Sequence, residues 1–373
     1  MSAWQRLSPL DGPADSLNIE SWIHTSADGA VRHYPVRVTN GKPFDVLTLK
    51  GTNLTETRDY IAFLRRTAAI LYAPDAPRRT VAACPCCAAE TKSHSRQRFS
   101  FMGIPFHRCD SCGHGFVLEQ PAESVLNTVF ADSEDHSATY VARESLEARM
   151  REIITPKVEW TAAVYSECHG RNLRSSIDVG AGGGHFVEGM RRAGLAATGY
   201  ELSRASQRFA AEAFGIELLD EDFLRAPTES VDLVTFWGLL EYIPEPRRYL
   251  DAARRCLEHG NGLLVVEVPR LDCLGTAVQA QNPFAIARHM DPTSHVNTFS
   301  DSSLATALVE TGFVPVAAWY FGMDVYELLI QAAMRLDDAT VVDRLADMIP
   351  ALQQTLDLGR QCDDLVLAAI PST

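Results

Sequence analysis

A short apolar run that ends in a cluster of glycines is the feature that most constrains this chain. Residues 176–184 read Ser-Ile-Asp-Val-Gly-Ala-Gly-Gly-Gly, and His185 follows them. A strand that ends in glycines lets the backbone approach a ligand closely and adopt positive φ angles. In α/β proteins such a strand end borders a nucleotide or nucleoside site. The pattern therefore predicts a parallel β-sheet with a ligand at the carboxyl ends of its strands.

An acid at the end of the next apolar stretch narrows the choice of ligand. Glu201 lies seventeen residues after Gly184, where a carboxylate can accept hydrogen bonds from two ribose hydroxyls. The glycine spacing is G-x-G-x-G, whereas a loop that binds a pyrophosphate needs G-x-G-x-x-G. We therefore expect S-adenosylmethionine, whose amino-acid end and ribose would lie against the loop. The contacts expected here are Asp178, Gly180, Ala181, Gly182, Gly184, Glu201 and Leu202.

Two further strand ends complete the predicted nucleoside site. Asp222 could accept the exocyclic amine of adenine and Phe223 could stack on the base, although such an acid also suits an ordinary loop. The apolar run 231–236 ends in Trp237 and Gly238. Ligands of open parallel sheets bind beyond the carboxyl ends of the strands. We therefore expect Trp237 and Gly238 to line the mouth of the cleft, while Trp237 also fits a packing role.

Strand and helix patterns alternate over residues 140–332, which predicts a parallel sheet with helices on both faces. A helical lead-in is expected at 140–170, with a break at Pro156. The expected strands are 176–180, 196–201, 216–219, 231–236 and 262–268, followed by β-rich runs near 314–320 and 324–331. The expected helices are 184–194, 203–214, 246–258 and 301–312.

The two ends of the chain predict smaller units. In residues 1–80, Asn40-Gly41 between two β-rich runs predicts a hairpin, and Asn53 with Glu56 predicts the start of a helix. This module is α+β, and its role is open. Residues 333–373 predict a helical segment with an apolar stripe typical of a docking or homodimer face. The stripe consists of Leu345, Met348, Ile349, Leu352 and Leu356.

Two C-x-x-C pairs define a cysteine module at residues 81–118. The two pairs are Cys84 with Cys87 and Cys109 with Cys112. Each pair can offer two thiolates from one tight turn, and four thiolates complete a closed, tetrahedral zinc site of the structural kind. Cys86 is a surplus thiol that leaves the choice of ligand in the first turn open. His107 and His114 flank the second pair and could replace a cysteine as ligand, but we expect them on the surface of this zinc ribbon. His185 is expected on an exposed helix face.

The composition limits the kinds of partner. A net charge of −14 argues against a nucleic-acid surface, which needs a basic stripe. No apolar run approaches the ~20 residues that span a bilayer, and no secretory signal is visible. Nine cysteines, four of them in C-x-x-C pairs, favour a reducing compartment. We therefore expect a cytoplasmic protein that acts on a small molecule, without a nucleic-acid or membrane partner.

Several motifs together resemble a known family. They are Asp178-Val-Gly-Ala-Gly-Gly-Gly, Glu201, Leu240-Glu241-Tyr242-Ile243-Pro244-Glu245-Pro246, Val266-Glu267-Val268-Pro269 and His295-Val-Asn-Thr-Phe-Ser. Over residues 81–330 the chain resembles the class I S-adenosylmethionine-dependent methyltransferases. It is most similar to a branch in which a four-cysteine zinc ribbon precedes the methyltransferase domain. That branch includes C-methyltransferases of branched deoxysugars and many natural-product enzymes. The resemblance implies a Rossmann-like sheet at residues 140–332.

The chain departs from this branch in two places. The family often has Glu-His-Leu where this chain has Glu241-Tyr242-Ile243. The sugar enzymes also carry a large C-terminal domain, whereas only residues 333–373 follow the predicted sheet here. Both departures count against a sugar substrate.

Methyl transfer sets simple demands on side chains. The methyl group of a sulfonium is already activated, so the protein must mainly hold the acceptor in line with it. An O, N or C nucleophile that bears a proton also needs a base. His295 is the first candidate for a base or substrate-orienting group, and His289 is the second. Tyr242 could act as a phenolate or a hydrogen-bond donor, while Glu241 could hold the loop beneath the methionine moiety.

The sequence thus predicts a zinc-ribbon methyltransferase that modifies a small molecule, in natural-product or sugar metabolism. One alternative is an interaction protein, in which a ribbon binds a partner and the nucleotide fold is only a scaffold. The intact glycine loop and Glu201 count against it. A nicotinamide-dependent oxidoreductase is a second alternative. The lack of a glycine at position 185 and the Asp178 before the loop count against that one.

Overall fold

A nine-stranded mixed sheet forms the centre of the molecule. The computed structural model describes residues 3–7, 18–26, 28–42, 44–122, 124–125, 146–225, 230–257, 262–281 and 290–372. In chain order, the strands of this sheet are β1 (Ala3–Leu7), β2 (Ile19–Thr25), β3 (Val31–Asn40), β9 (Ser175–Val179), β10 (Ala196–Tyr200), β11 (Leu233–Trp237), β12 (Leu263–Pro269), β14 (Phe313–Phe321) and β15 (Asp364–Pro371).

The sheet is parallel where the glycine loop was predicted. Its order is β10-β9-β11-β12-β15-β14-β3-β2-β1. Strands β9 to β12 are mutually parallel, whereas β15 runs antiparallel to β12 and to β14. Strand β12 reads Leu-Leu-Val-Val-Glu-Val-Pro and is buried on both faces over most of its length, as expected of a central parallel strand. The predicted α/β fold is confirmed.

Helices cover the sheet on both faces. Apolar side chains of the helices Thr155–His169 and His185–Arg192 pack on one face, and those of the helices Pro246–Leu257 and Asp301–Glu310 pack on the other. In the described parts of the chain, the helices are α1 (Val46–Lys50), α2 (Leu54–Leu71), α3 (Thr91–His94), α4 (Leu146–Arg149), α5 (Thr155–His169), α6 (His185–Arg192), α7 (Arg204–Phe214), α8 (Pro246–Leu257), α9 (Leu274–Gln281), α10 (Asp301–Glu310), α11 (Asp324–Leu336), α12 (Thr340–Leu345) and α13 (Ile349–Leu358). None of them is long and apolar enough to cross a membrane.

The cysteine module forms a small sheet of its own. Its strands are β5 (Ser95–Phe101), β6 (Ile104–Cys109) and β7 (Gly115–Val117). A fourth strand, β13 (Asn297–Thr298), joins from the far side of the sequence and pairs with β7. A short ladder of β4 (Arg78–Thr80) and β8 (Glu119–Pro121) closes the module. The ribbon is therefore joined to the main domain by backbone pairing.

The predicted hairpin around Asn40-Gly41 is wrong. Strand β3 pairs with β2 before it and, in parallel, with β14 of the main domain. Gly41 N donates to Tyr320 O, and helix α1 follows soon after. Trp22 Nε1 donates to the buried Glu20, which also forms an ion pair with Arg360. The first three strands therefore extend the main sheet, because β14 offers them a free edge.

Helix predictions in the flanking segments have mixed outcomes. The helix predicted after Asn53 is confirmed as α2, and the Asn53 side chain accepts hydrogen bonds from the amides of Thr55 and Glu56. The lead-in is also helical where it is described. Its irregularity is a π-helical turn, Met150–Ile154. Pro156 directly follows this π-helical turn, and the chain stays helical through α5, so no break occurs there.

Two predicted strands differ in the structure. The β-rich run at 324–331 is part of helix α11, which begins after the turn that ends β14. The segment at 216–219 contributes only a single bridge, from Leu219 to Tyr200. Residues 324–331 are rich in Leu, Ile and Val, and periodicity over so few residues does not separate a strand from a buried helix.

The C-terminal segment is only partly helical. Helices α12 and α13 are followed by β15, whose residues 365–369 are all buried. In the predicted docking stripe, Ile349 is buried while Met348 and Leu352 are exposed. The homodimer expected through these helices stays a prediction. The chain end is therefore an integral strand of the core rather than a helical appendage.

Substitutions in this last strand test its place in the core. We expect Leu367→Ala to lower the free energy of unfolding by about 2–5 kcal/mol, because Leu367 is fully buried. The matched control is Leu358→Ala at the exposed end of α13, where a change of at most about 0.5 kcal/mol is expected. Urea titration of both variants measures the difference. Equal, small effects at the two positions would contradict the assignment of β15.

Candidate functional site

The glycine loop lies at the carboxyl end of β9, and its backbone explains the glycines. Gly180, Gly182 and Gly184 have φ angles of 72°, 53° and 76°, a region that side chains with a Cβ rarely adopt. A Cβ on Gly180 would lie only 2.9 Å from Leu239 Cδ1. Ala181 is buried beneath the loop, and its N–H and that of Gly180 both donate to Tyr200 O. The loop is thereby fixed against the end of β10.

Glu201 contacts the glycine loop directly. Its Oε2 accepts from Gly182 N at 2.8 Å and its Oε1 accepts from Ser203 N at 2.6 Å. Burial raises the pKa of the Glu201 carboxyl, while these two amides act in the opposite direction. Each carboxylate oxygen has a second lone pair, so both can still accept a hydroxyl of a ligand. The residues predicted to border a ribose are therefore brought together.

Asp178 lies buried beneath the loop. Its Oδ1 accepts a hydrogen bond from Thr235 Oγ1 at 2.7 Å, across the β9–β11 pair. Burial raises the pKa of Asp178 to about 7, and the nearby Glu201 adds to the shift. A carboxyl with this pKa changes charge near neutral pH.

Asp222 and Phe223, which were predicted to contact adenine, are placed less favourably for that contact than expected. Phe223 is 3% exposed and packs among Tyr200, Phe236 and Tyr249, so its ring lies within the core rather than on an open face. The exposed Asp222 carboxylate accepts from Leu224 N at 3.0 Å. Leu202 is 51% exposed beside Glu201 and offers an apolar surface there.

The end of β11 carries a buried ion pair that the sequence reasoning missed. Lys157 of α5 pairs with Glu267 of β12, and its Nζ lies 4.4 Å from the centre of the Trp237 ring. Trp237 is half-buried and its Nε1 has no hydrogen-bond partner among the described residues. Gly238 N donates to Glu267 O at 3.1 Å. The sequence around Lys157 contains no pattern that predicts this cluster of Lys157, Glu267 and Trp237. Only the buried position of Lys157 in the structure shows it.

Glu241 is enclosed beneath the same edge. Its side chain is 3% exposed, and Oε1 lies close to Gly238, where an added Cβ would approach it to 3.3 Å. Burial is the main cause that raises the pKa of Glu241 well above its usual value, and the neighbouring carboxyl of Glu267 adds to it. This placement fits the expectation that Glu241 supports the loop.

Two predicted catalytic residues lie side by side. The rings of Tyr242 and His295 are 4.8 Å apart between centres and nearly perpendicular. His295 is buried in a tight loop, where its backbone N–H donates to the backbone carbonyl of Asp291 at 2.6 Å. Asp291 in turn accepts from the hydroxyls of Thr293 and Ser294. The other candidate, His289, lies outside the described residues.

Four cysteines converge in the ribbon. The Sγ atoms of Cys84, Cys87, Cys109 and Cys112 all lie within 4.8 Å of one another. Cys86 is buried but does not belong to this group, which assigns Cys87 to the first turn. Four thiolates at this separation fit one tetrahedral zinc ion of the closed, structural kind.

Two histidines expected on the surface are buried instead. His114 follows the second cysteine turn and is fully enclosed. His185 is 5% exposed and lies between Phe209 and Phe214. Burial lowers the pKa of His185 to about 4. In both cases helix or turn periodicity alone could not show that a neighbouring element covers the side chain.

Comparison with known proteins identifies the family of this chain. A family model described as a methyltransferase domain matches residues 127–318, just over half of the chain. A ubiquinone biosynthesis O-methyltransferase of Alkalilimnicola ehrlichii is 27% identical over 116 residues, which cover 29% of this chain and 46% of that protein. Its counterpart in Bordetella avium is 28% identical over 113 residues, or 28% and 45% of the two chains. The chain thus spans about half the length of the curated relatives it matches.

Solved structures of methyltransferases are similar in part. A S-adenosylmethionine-dependent methyltransferase from Archaeoglobus fulgidus has a TM-score of 0.40 and 17% identity, covering 59% of this chain and 93% of that one. Magnesium protoporphyrin IX methyltransferase from Synechocystis PCC 6803 has a TM-score of 0.44 and 11% identity, covering 67% and 100%. With its family model matched over residues 127–318, the chain belongs to the methyltransferase-domain family.

Proposed function

We propose that this protein transfers a methyl group from S-adenosylmethionine to a small molecule and releases S-adenosylhomocysteine. The contact between Glu201 and the glycine loop, in a chain of the methyltransferase family, carries the proposal. The cofactor would supply an electrophilic methyl group on a sulfonium. The protein would need to bind it, exclude water and align the acceptor.

The site residues divide this work by position. Glu201 would accept the ribose hydroxyls with the lone pairs that its two amide donors leave free. The loop around Gly182 would let the amino-acid end lie against the backbone. Asp178, once ionised, would attract the positive charges of the cofactor across a short, poorly solvated distance. Leu202 would cover one side of the adenosine.

The acceptor would approach from the side of Tyr242 and His295. A histidine or tyrosine within hydrogen-bond reach of the acceptor can remove its proton, an effect typically worth about 10²–10⁴-fold in rate. The similarity to proteins named ubiquinone biosynthesis O-methyltransferases favours oxygen over nitrogen or carbon as the acceptor atom. The net charge of −14 supports a small-molecule acceptor rather than a nucleic acid. A natural-product or sugar-like compound in the cytoplasm remains our working substrate class.

We also propose that zinc occupies the four-cysteine cluster and has a structural role. The ribbon strands are three to seven residues long, so the module buries little surface of its own. Metal binding would then supply much of its stability.

A binding measurement tests the cofactor assignment. We expect Glu201→Gln to weaken S-adenosylmethionine binding by about 10–100-fold, because hydrogen bonds to a charged group are worth about 1.5–3 kcal/mol. Isothermal titration calorimetry of both proteins measures the change. The matched control is Glu217→Gln, an exposed glutamate on the segment after α7. A folded wild type that does not bind the cofactor, or a Glu201 variant that binds as well as the control, would refute the proposal.

The pH dependence of binding tests the part given to Asp178. Its pKa of about 7 means that the carboxyl is neutral below pH 7 and anionic above it. The anion attracts a cationic ligand, so affinity should rise between pH 6 and pH 8, by at most about tenfold per pH unit. In Asp178→Asn this rise should be smaller. Calorimetry at pH 6, 7 and 8 measures how steeply the affinity changes with pH in the wild type and in the variant. Equal slopes would show that Asp178 does not contribute to the pH dependence of binding.

Metal analysis of cysteine variants tests the ribbon. We expect about one zinc per wild-type chain and a large loss of zinc in Cys87→Ser. Cys86→Ser is the matched control, because its thiol is adjacent in sequence but lies outside the cluster; it should keep its zinc. Inductively coupled plasma mass spectrometry gives the ratio. Loss of zinc in the Cys86 variant alone would reverse the ligand assignment.

A further inference from the structure

Asn297 joins the two loops that carry Tyr242 and His295. Its backbone N–H donates to Glu241 O at 3.1 Å, and its Nδ2 donates to Ile243 O at 2.6 Å. The side chain is fully buried. These contacts fix the segment on either side of Tyr242. Asn297 is also only two residues beyond His295 in the sequence. Its position therefore affects both the segment that carries Tyr242 and the segment that carries His295.

The orientation of the Asn297 amide determines which ring nitrogen of His114 carries the donated proton. Because Nδ2 donates to a carbonyl, Oδ1 is left as the acceptor. His114 Nε2 lies 3.0 Å from that oxygen, so the imidazole must donate from Nε2. Asn297 has no other side-chain donor to Oδ1 among the hydrogen bonds of the described residues. The Ile243 carbonyl therefore fixes the orientation of the amide, and the ribbon histidine adds a donor to Oδ1 that holds the amide in that orientation.

His114 is held in place by the ribbon. Its carbonyl accepts from Cys109 N at 2.8 Å, within the second cysteine turn. The ring contacts Phe116, with centres 6.0 Å apart, and Phe299, at 4.8 Å. Asn297 pairs with Phe116 across the β7–β13 ladder, and this pairing sets the distance between the His114 ring and the Asn297 side chain. A continuous series of contacts thus runs from the cysteine turn to the Tyr242 loop.

We propose that His114 is a positioning residue for the acceptor side of the site. Through Asn297 it sets the relative placement of Tyr242 and His295, so this side is ordered only when the cysteine ribbon is folded. The importance given to those two rings rests on the proposed function, whereas the series of contacts does not.

Hydrogen–deuterium exchange on the full chain tests this with two substitutions. His114→Phe keeps a ring but removes the donor, and His114→Gln keeps a donor at similar reach. In the Phe variant we expect amide protection at Asn297 and Tyr242 to fall about tenfold or more, as when a buried hydrogen bond is lost. Protection of the 180–184 loop and the zinc content should stay at wild-type levels. The Gln variant should restore most of the protection.

A matched control and a spectroscopic readout separate positioning from general stability. His107→Phe alters a ribbon histidine on β6 whose ring lies near Phe116. The side-chain hydrogen bonds of Asn297 are to His114, Leu240 and Ile243, so the His107 substitution should leave the exchange of Asn297 unchanged. The imidazole proton resonances of His295, assigned by their loss in His295→Gln, should shift in His114→Phe and return in His114→Gln, since they report the nearby Tyr242 ring.

Three results would overturn the inference. One is unchanged protection at Asn297 and Tyr242 in a zinc-loaded His114→Phe protein. Another is a uniform loss of protection that includes the 180–184 loop, which would make His114 a general packing residue. The third is a Gln variant that behaves like the Phe variant. The wild type is also titrated with S-adenosylmethionine. Failure to bind it would refute the proposed function, whereas the positioning role of His114 would still be tested by the exchange data.

Discussion

Strand β15 is the element on which the rest of the architecture depends. It pairs antiparallel with β12 on one side and with β14 on the other, so it joins the parallel strands that carry the glycine loop to the strands contributed by the N-terminal region. Its residues 365–369 are entirely buried. Strand β15 thereby connects strands β1 to β3, through β14, to the parallel strands of the sheet.

The parallel strands on the near side of β15 bring the site together. Because β9, β10 and β11 run in the same direction, the glycine loop, Glu201 and Trp237 all emerge at one edge. Three acidic side chains lie at this edge: Glu267 pairs with Lys157, whereas burial raises the pKa of Asp178 and of Glu241 and so favours their neutral forms until a positive charge approaches. A cationic ligand suits such an edge better than an anionic one, in keeping with a sulfonium and against a pyrophosphate.

Local patterns predicted the parts that depend on local chemistry. Glycine spacing and the acid after the next strand gave the loop and its carboxylate, and paired cysteines gave the cluster, because each needs particular residue types at fixed intervals. Failures came where distant segments decide the outcome. Asn40-Gly41 is followed by a helix because β3 pairs with β14, and His114 is buried because β13 and Phe299 cover it. Lys157 was missed since its partner Glu267 is remote in sequence.

A crystal structure with S-adenosylhomocysteine tests the central claim most directly. We expect the ribose hydroxyls to lie within hydrogen-bond distance of the Glu201 carboxylate and the homocysteine end to lie along residues 180–184. The sulfur should then face the side that carries Tyr242 and His295. A ligand bound elsewhere, or bound here without a contact between its ribose and Glu201, would contradict the account.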